Sequence, residues 1–206
     1  MPHALWKHDK PLVLASTSVT RLQLLSGISI PVEAVGADID ERILEASLQA
    51  EHASPARIAL ALAQAKAEDV ARRFPGHWVI GADQTLALGD EQFHKPGSVT
   101  QAAAHLQRLS GKTHHLHSGV VAFFDGQCRY AHVESAAMNM RPLGADFLTA
   151  YLAAAGDAVT RSVGAYQVEG LGAHLFERIE GDHSTILGLP LLPLLAFFRQ
   201  AGLVEA

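Results

Sequence analysis

The sequence predicts a mixed α/β fold, a twisted sheet with flanking helices. Three observations predict it. Residues 11–15 and 78–81 are short apolar runs bounded by polar or glycine residues, which suits buried strands. Helix signals stand between such runs, above all Ser54-Pro55, a capping hydroxyl followed by proline at the first helical position. Two long strand-like segments meet at Asp125-Gly126, a strong hairpin signal, so at least one antiparallel pair joins a sheet otherwise read as parallel.

The elements follow in order. After the first strand the hydroxyl triplet Ser16-Thr17-Ser18 precedes Leu22, Leu24 and Leu25, a short helix ended by Gly27. Residues 28–35 read as a second strand and 38–41 as an acidic turn. The helix opened by Ser54-Pro55 is expected to run to about Phe74, ahead of Pro75-Gly76. The buried strand 78–81 ends at Ala82-Asp83-Gln84. A turn near Gly89-Asp90 leads to His94-Lys95-Pro96-Gly97, where the proline forbids a helix. Ser98 or Thr100 caps the next helix, which ends near Gly111. Strands 115–124 and 127–140 form the hairpin, and 142–155 is a helix. Residues 164–172 make a glycine-rich loop, 173–179 a strand, and 184–200 a last helix interrupted by prolines.

At 206 residues, 49% of them hydrophobic and 18% charged, the chain builds a sizeable core. With no repeats and no low-complexity linker, residues 1–206 read as a single domain, which at this length can carry two lobes around a cleft. A net charge of −5 argues against a nucleic-acid partner, which calls for a basic face, yet leaves room for a nucleotide. The most apolar run, 186–198, is short and broken by Pro190 and Pro193, so no membrane partner is expected. Met1 to Lys10 shows no signal-peptide core, and Cys128 is the only cysteine, which points to a reducing, cytoplasmic setting.

Several groups sit where core patterning would not put them. Asp83 follows a buried strand, where α/β folds concentrate ligand chemistry, though a turn residue also fits. Lys66 falls at four-residue steps from Ile58 and Leu62, within the apolar stripe of its helix, and either snorkels outward or turns its ammonium into a cleft. Lys95 is held beside Pro96. The Ser16-Thr17-Ser18 loop, with Arg21 in the first turn of the following helix, suits a phosphate cradle or a plain helix cap. It is not a Walker loop, since no glycine–lysine pattern is present. His114, His115 and His117 invite a zinc reading, but on a strand His114 faces away from the other two and no cysteine is near.

Together and in this order, these pieces resemble the Maf family of nucleotide pyrophosphatases. The resemblance runs through Leu14-Ala15-Ser16-Thr17-Ser18 with Arg21, Asp38-Ile39-Asp40-Glu41, Lys66, Gly81-Ala82-Asp83-Gln84 and Lys95-Pro96. It continues at Leu109-Ser110-Gly111-Lys112, Gly164-Ala165-Tyr166, Ile179-Glu180-Gly181-Asp182 and Gly188-Leu189-Pro190. It covers residues 12 to about 195. Each motif alone is weak, and the ordered series is specific. The resemblance implies a mixed α/β fold with two lobes around a long cleft, related to the inosine triphosphate pyrophosphatases. It implies cleavage of a nucleoside triphosphate into monophosphate and pyrophosphate with a divalent metal, Mg²⁺ or Mn²⁺.

It further implies roles for single residues. Asp83 is the base that activates water, Glu41 and Asp83 bind metal, and Ser16, Ser18, Arg21, Lys66 and Lys95 bind phosphate. Three positions separate a dTTP/UTP-type subgroup from a 7-methyl-GTP-type subgroup, and here they hold Thr20, Gln84 and Glu169. Gln84 and Glu169 match the second type, in which a carboxylate buried against the base accepts from the guanine edge. Thr20 matches neither, and it replaces the first of two consecutive arginines found in many members. The alternatives are a dTTP/UTP pyrophosphatase, a general phosphatase releasing orthophosphate, and a non-enzymatic nucleotide-binding regulator of cell division. The assembly state is left open, a homodimer being the one considered.

Overall fold

The computed structural model describes residues 5–205, so Met1–Ala4, part of the segment read as lacking a signal-peptide core, lie outside it. Seven strands hydrogen-bond in one mixed sheet, ordered β2-β1-β3-β5-β6-β7 with β4 added on β3. They are β1 (Leu12–Ala15), β2 (Val32–Ala34), β3 (Trp78–Leu88), β4 (Glu91–Phe93), β5 (Thr113–Phe124), β6 (Gln127–Met140) and β7 (Phe176–Glu180). The helices are α1 (Val19–Gly27), α2 (Glu41–Ala50), α3 (Pro55–Ala71), α4 (Val99–Leu109), α5 (Ala145–Ala155), α6 (His183–Ile186) and α7 (Leu191–Gln200). β1 pairs in parallel with β2 and β3, whereas β4 on β3 and β7 on β6 are antiparallel. The β5–β6 connection has positive φ at both Asp125 (47°) and Gly126 (73°), the geometry a two-residue hairpin requires. Among the described residues no helix is long and apolar enough to cross a membrane.

The chain divides into two compact units, Met1–Gln84 with His117–Glu134 and Asp182–Ala206, and Thr85–Leu116 with Ser135–Gly181. In the first unit the two faces of the sheet separate by strand alternation. Leu12, Leu14, Ile80, Ala82, Val120 and Ala122 pack with Leu25 of α1 and with Leu191, Leu194 and Phe198 of α7. Val13, Ala15, Val79, Val121 and Phe123 face the other way, onto Ala63, Ala67 and Val70 of α3. That second contact is close because α3 offers alanines at four-residue steps and the strands offer glycines. A Cβ on Gly81 would lie 2.0 Å from the Ala63 carbonyl oxygen, and one on Gly119 would lie 2.8 Å from Ala59 backbone atoms.

The differences from expectation are informative. The acidic turn expected over 38–41 leads straight into α2, whose residues 42–50 carried no expected element. α2 is a helix started by Asp40, whose side chain accepts from the Ile43 amide at 3.0 Å, and it buries little beyond Leu48. β3 does not end at Ala82. Asp83, Gln84 and Thr85 continue it to Leu88, so Asp83 is a mid-strand residue. The strand expected over 28–35 is only Val32–Ala34, and the last helix is two, α6 and α7, parted at Gly188, whose φ is 96°.

In the second unit, His114 of β5 is a core residue at 0% exposure. Its Nε2 lies 2.7 Å from the Tyr166 hydroxyl, and its Nδ1 is buried without a partner. A second ring proton would have no acceptor there, and burial, with a smaller push from His115, lowers the pKa from 6.5 to about 4. The ring is therefore neutral in the fold, while the unfolded chain takes up a proton below pH 6.5. Stability should fall as pH drops from about 6.5 to about 4, by roughly 3 kcal/mol in total from this group. Denaturant unfolding across that window should show a shallower acid loss for His114→Gln than for wild type. Parallel pH profiles for the two proteins would exclude His114 as the source.

Candidate active site

Three segments of the first unit converge on the end of α3. The loop before α2 is tied to α3 by Asp69, which accepts from the Asp38 amide at 3.0 Å and from Arg73 Nη2 at 2.8 Å; Arg73 Nη2 also donates to the Gly36 carbonyl at 2.9 Å. The Asp38 amide bond, with help from Arg73 and Arg72, holds the Asp69 carboxyl below its ordinary pKa. This anchoring places Glu41 at the first turn of α2, a position favourable for an anion. The close packing at Gly81 then brings Lys66 against β3. Its Nζ lies 2.5 Å from Asp83 Oδ1 and 3.0 Å from Glu41 Oε2. Lys66 and Asp83 are each 9% exposed, whereas the Glu41 side chain is half exposed. The lysine therefore turns inward and does not snorkel.

Arg21 completes the cluster from the other side of the chain. Its Nε donates to the Gly188 carbonyl at 2.8 Å, and Nη1 donates to the Ala82 carbonyl at 3.0 Å and to Ser16 Oγ at 3.3 Å. Burial pulls the Arg21 pKa below its ordinary value, and the nearby Asp83 and Glu41 carboxylates act in the opposite direction. The Ser16-Thr17-Ser18 loop forms a helix cap. Ser18 caps α1 through a 3.4 Å bond from the Arg21 amide, and Ser16 Oγ accepts from the Ser18 amide at 3.2 Å. Thr20 lies half-buried in the first turn of α1.

Two carboxylates on one ammonium, with a guanidinium near, make a paired charge cluster at the edge of a core. Such an arrangement holds cations between its acids and directs positive charge at an anion. Asp83 and Glu41 supply only oxygen, the donor set that suits a hard divalent cation. Among the described residues no three His, Cys, Asp or Glu side chains group at ligating distance, so a cation here would keep water or substrate ligands.

Gln84 points to the opposite face of β3 from Asp83. Its Nε2 meets Ser118 Oγ at 3.0 Å and the carbonyls of Thr185 and Ile186 at 3.1 and 3.0 Å. Spacing in the sequence did not reveal these partners, although a serine inside the apolar strand 116–124 is a signal of a buried polar contact. Lys95 and Glu169 belong to the second unit. Lys95 is exposed on the turn between β4 and α4. Glu169 is also exposed, on a turn closed by the Gly170 and Gly172 amides, both 3.1 Å from the Gln167 carbonyl. The residue projects from this tight turn.

The comparisons with known proteins agree with this geometry. The family described as Maf-like protein matches residues 11–201. The chain is 54% identical over 200 residues to a nucleoside triphosphate pyrophosphatase of Bradyrhizobium diazoefficiens, covering 97% of this chain and 98% of the relative. It is 52% identical over 198 residues to a 7-methyl-GTP pyrophosphatase of Rhizobium meliloti, covering 96% and 100%. A 7-methyl-GTP pyrophosphatase of Mesorhizobium japonicum is 52% identical over 194 residues, covering 94% and 98%. With the motif series, the sheet and the charge cluster all in agreement, the chain belongs to the Maf-like protein family.

Proposed function

We propose that this protein is a nucleoside triphosphate pyrophosphatase, a hydrolase that splits its substrate into nucleoside monophosphate and pyrophosphate. The observation that carries the proposal is the Lys66–Asp83–Glu41 cluster beside Arg21, supported by relatives of that name over nearly the whole chain. Asp83 acts as general base. It takes a proton from water, the water oxygen bonds to the α-phosphorus, and the bond to the bridging oxygen breaks with its electrons leaving on pyrophosphate. Lys66, Arg21 and, by resemblance, Lys95 stabilise the charge that gathers on the phosphoryl oxygens. Ser16 sets Arg21, and Ser18 sets the helix terminus that faces the anion. Asp83 and Glu41 would hold Mg²⁺ or Mn²⁺, which supplies charge neutralisation and lowers the pKa of bound water.

The base preference we propose is for a guanine-type triphosphate, 7-methyl-GTP above dTTP and UTP. Glu169 offers acceptors to the guanine N1–H and amine and an attractive charge to a methylated ring. Its exposure limits the effect to that of about one or two charge-assisted hydrogen bonds.

Three outcomes test this reading. With 7-methyl-GTP the first products should be monophosphate and pyrophosphate, and Asp83→Asn should lower kcat by ~10²–10⁴-fold while the protein stays folded. Initial release of orthophosphate, or near-normal turnover by the variant, would overturn the assignment. Lys66→Ala should reduce kcat/KM by ~10²–10³-fold and lower stability by about 3 kcal/mol, because Asp83 is left buried without its partner. Chelator should abolish turnover and Mg²⁺ or Mn²⁺ restore it, and full activity in excess chelator would remove the metal from the mechanism. Finally, kcat/KM for 7-methyl-GTP should exceed that for dTTP and UTP by ~10–10²-fold, and Glu169→Gln should erode the difference. A wild-type preference for the pyrimidines would falsify the carboxylate argument.

A further inference from the structure

The resemblance groups Gln84 with residues that discriminate the base, but its hydrogen bonds give it another task. Two of the three groups around its amide are backbone carbonyls, which only accept. The third, Ser118, donates its own hydroxyl hydrogen to the Thr185 carbonyl at 2.7 Å and so presents an acceptor to Gln84. A flipped amide would set its oxygen against two carbonyl oxygens, so the nitrogen must face them. Both amide hydrogens are thereby committed inside the protein.

What these bonds hold is the short turn from Asp182 to Gly188. α6 has only four residues and cannot be stable alone. Asp182 caps it through the Ser184 and Thr185 amides, at 2.9 and 3.3 Å. Thr185 Oγ1 donates to Glu134 at 2.6 Å, and Gln84 and Ser118 gather its carbonyl end. Two residues past Ile186, the Gly188 carbonyl accepts from Arg21 Nε. A Cβ on Gly188 would lie 3.2 Å from that nitrogen, so the backbone lies directly against the guanidinium. Gln84 also sits two residues from the Ala82 carbonyl, the other backbone acceptor of Arg21.

We propose that Gln84 is a positioning residue for Arg21. It fixes the 182–188 turn, the turn fixes Gly188, and Gly188 aims the guanidinium, so Gln84 acts on phosphate binding through Arg21. The kinetic part rests on the pyrophosphatase reading of Arg21. The positioning part does not.

The test pairs a structural readout with a kinetic one. In ¹⁵N spectra of the whole protein, Arg21 Nε–H, assigned by its loss in Arg21→Lys, should be protected from exchange in wild type. In Gln84→Met, which keeps the side-chain length but donates nothing, it should shift and exchange at least ~10-fold faster. Ser118→Ala should move it in the same direction by less, and it decides the matter should Gln84→Met not fold. In turnover, Gln84→Met should lower kcat/KM by at least ~10-fold for each of 7-methyl-GTP, GTP, dTTP and UTP. On an Arg21→Ala background it should add little further loss. An unmoved Arg21 resonance, an unchanged kcat/KM for any of these nucleotides, or full additivity with Arg21→Ala would each overturn the proposal. If wild type hydrolyses none of these nucleotides, the function fails and the Arg21 resonance still decides the positioning.

Discussion

An ammonium can be kept almost wholly out of water only where anions replace its lost hydration, and Lys66 meets that condition with Asp83 at 2.5 Å and Glu41 at 3.0 Å. The arrangement depends on backbone proximity before it depends on charge. Ala59, Ala63 and Ala67 are each at 0% exposure on α3, and opposite them Gly81 and Gly119 leave no side chain between helix and strands. A single methyl group at Gly81 would meet the Ala63 carbonyl at 2.0 Å and force α3, with Lys66 on it, away from β3. Buried ion pairs contribute little net stability, since desolvation offsets most of their attraction. The fold is therefore held by the apolar faces around Phe198 and Val70, and the charges are carried by it.

Alternation along β3 then divides the labour. Asp83 faces α3 and the lysine, while Gln84 faces the turn of α6. The carbonyl of Ala82 lies between them in the chain and holds Arg21. Lys66 and Arg21 are balanced by Asp83 and Glu41, so the cluster is close to neutral as it stands. A triphosphate adds three or four negative charges to that balance, more than two cations already paired with acids can offset. A divalent cation held by the same two carboxylates would free the lysine's charge for the phosphates. This balance of charge is the physical reason for which a divalent cation is proposed here.

Much of this was legible in the sequence, and the exceptions have physical causes. The helix Glu41–Ala50 was not read, only an acidic turn over 38–41, because its apolar residues are few and its burial rests on Leu48 against Ile58 and Leu62 of α3. β3 was cut short because Asp83, Gln84 and Thr85 interrupt its apolar run. These polar side chains are tolerated in mid-strand by partners far along the chain, such as Lys66 and Ser118. Lys66 could be placed on an apolar stripe but not aimed, since its direction is set by Gly81 and by the anchoring of Asp38 to Asp69. The Gly188 break was visible as Gly-Leu-Pro, yet its contact with Arg21 spans 167 residues and no local spacing carries it.

The role proposed for Glu169 poses the sharper question of how an exposed carboxylate would discriminate between bases. Side-chain exposure weakens each bond it makes, but backbone order limits the entropy lost when a ligand arrives. Its turn is ordered from several directions. Ala165 holds a φ of 60°, and Tyr166 folds back so closely that a Cβ on Gly164 would meet its ring at 2.2 Å. The Tyr166 hydroxyl is fixed by His114, its ring packs edge-on to Phe176 at 4.9 Å, and its carbonyl accepts from Ser162 at 2.5 Å. Gly172 then lies against the Gln167 carbonyl, where any side chain would collide at 2.4 Å. Burial holds the Tyr166 hydroxyl protonated far above its ordinary range, so this pin does not loosen at physiological pH. A selective side chain at the tip of a turn so constrained needs only its own rotamers ordered on binding, and for one glutamate that is at most about 2 kcal/mol. The buried His114–Tyr166 pair would thus lower the entropic penalty of the proposed use of a solvent-exposed acid at position 169.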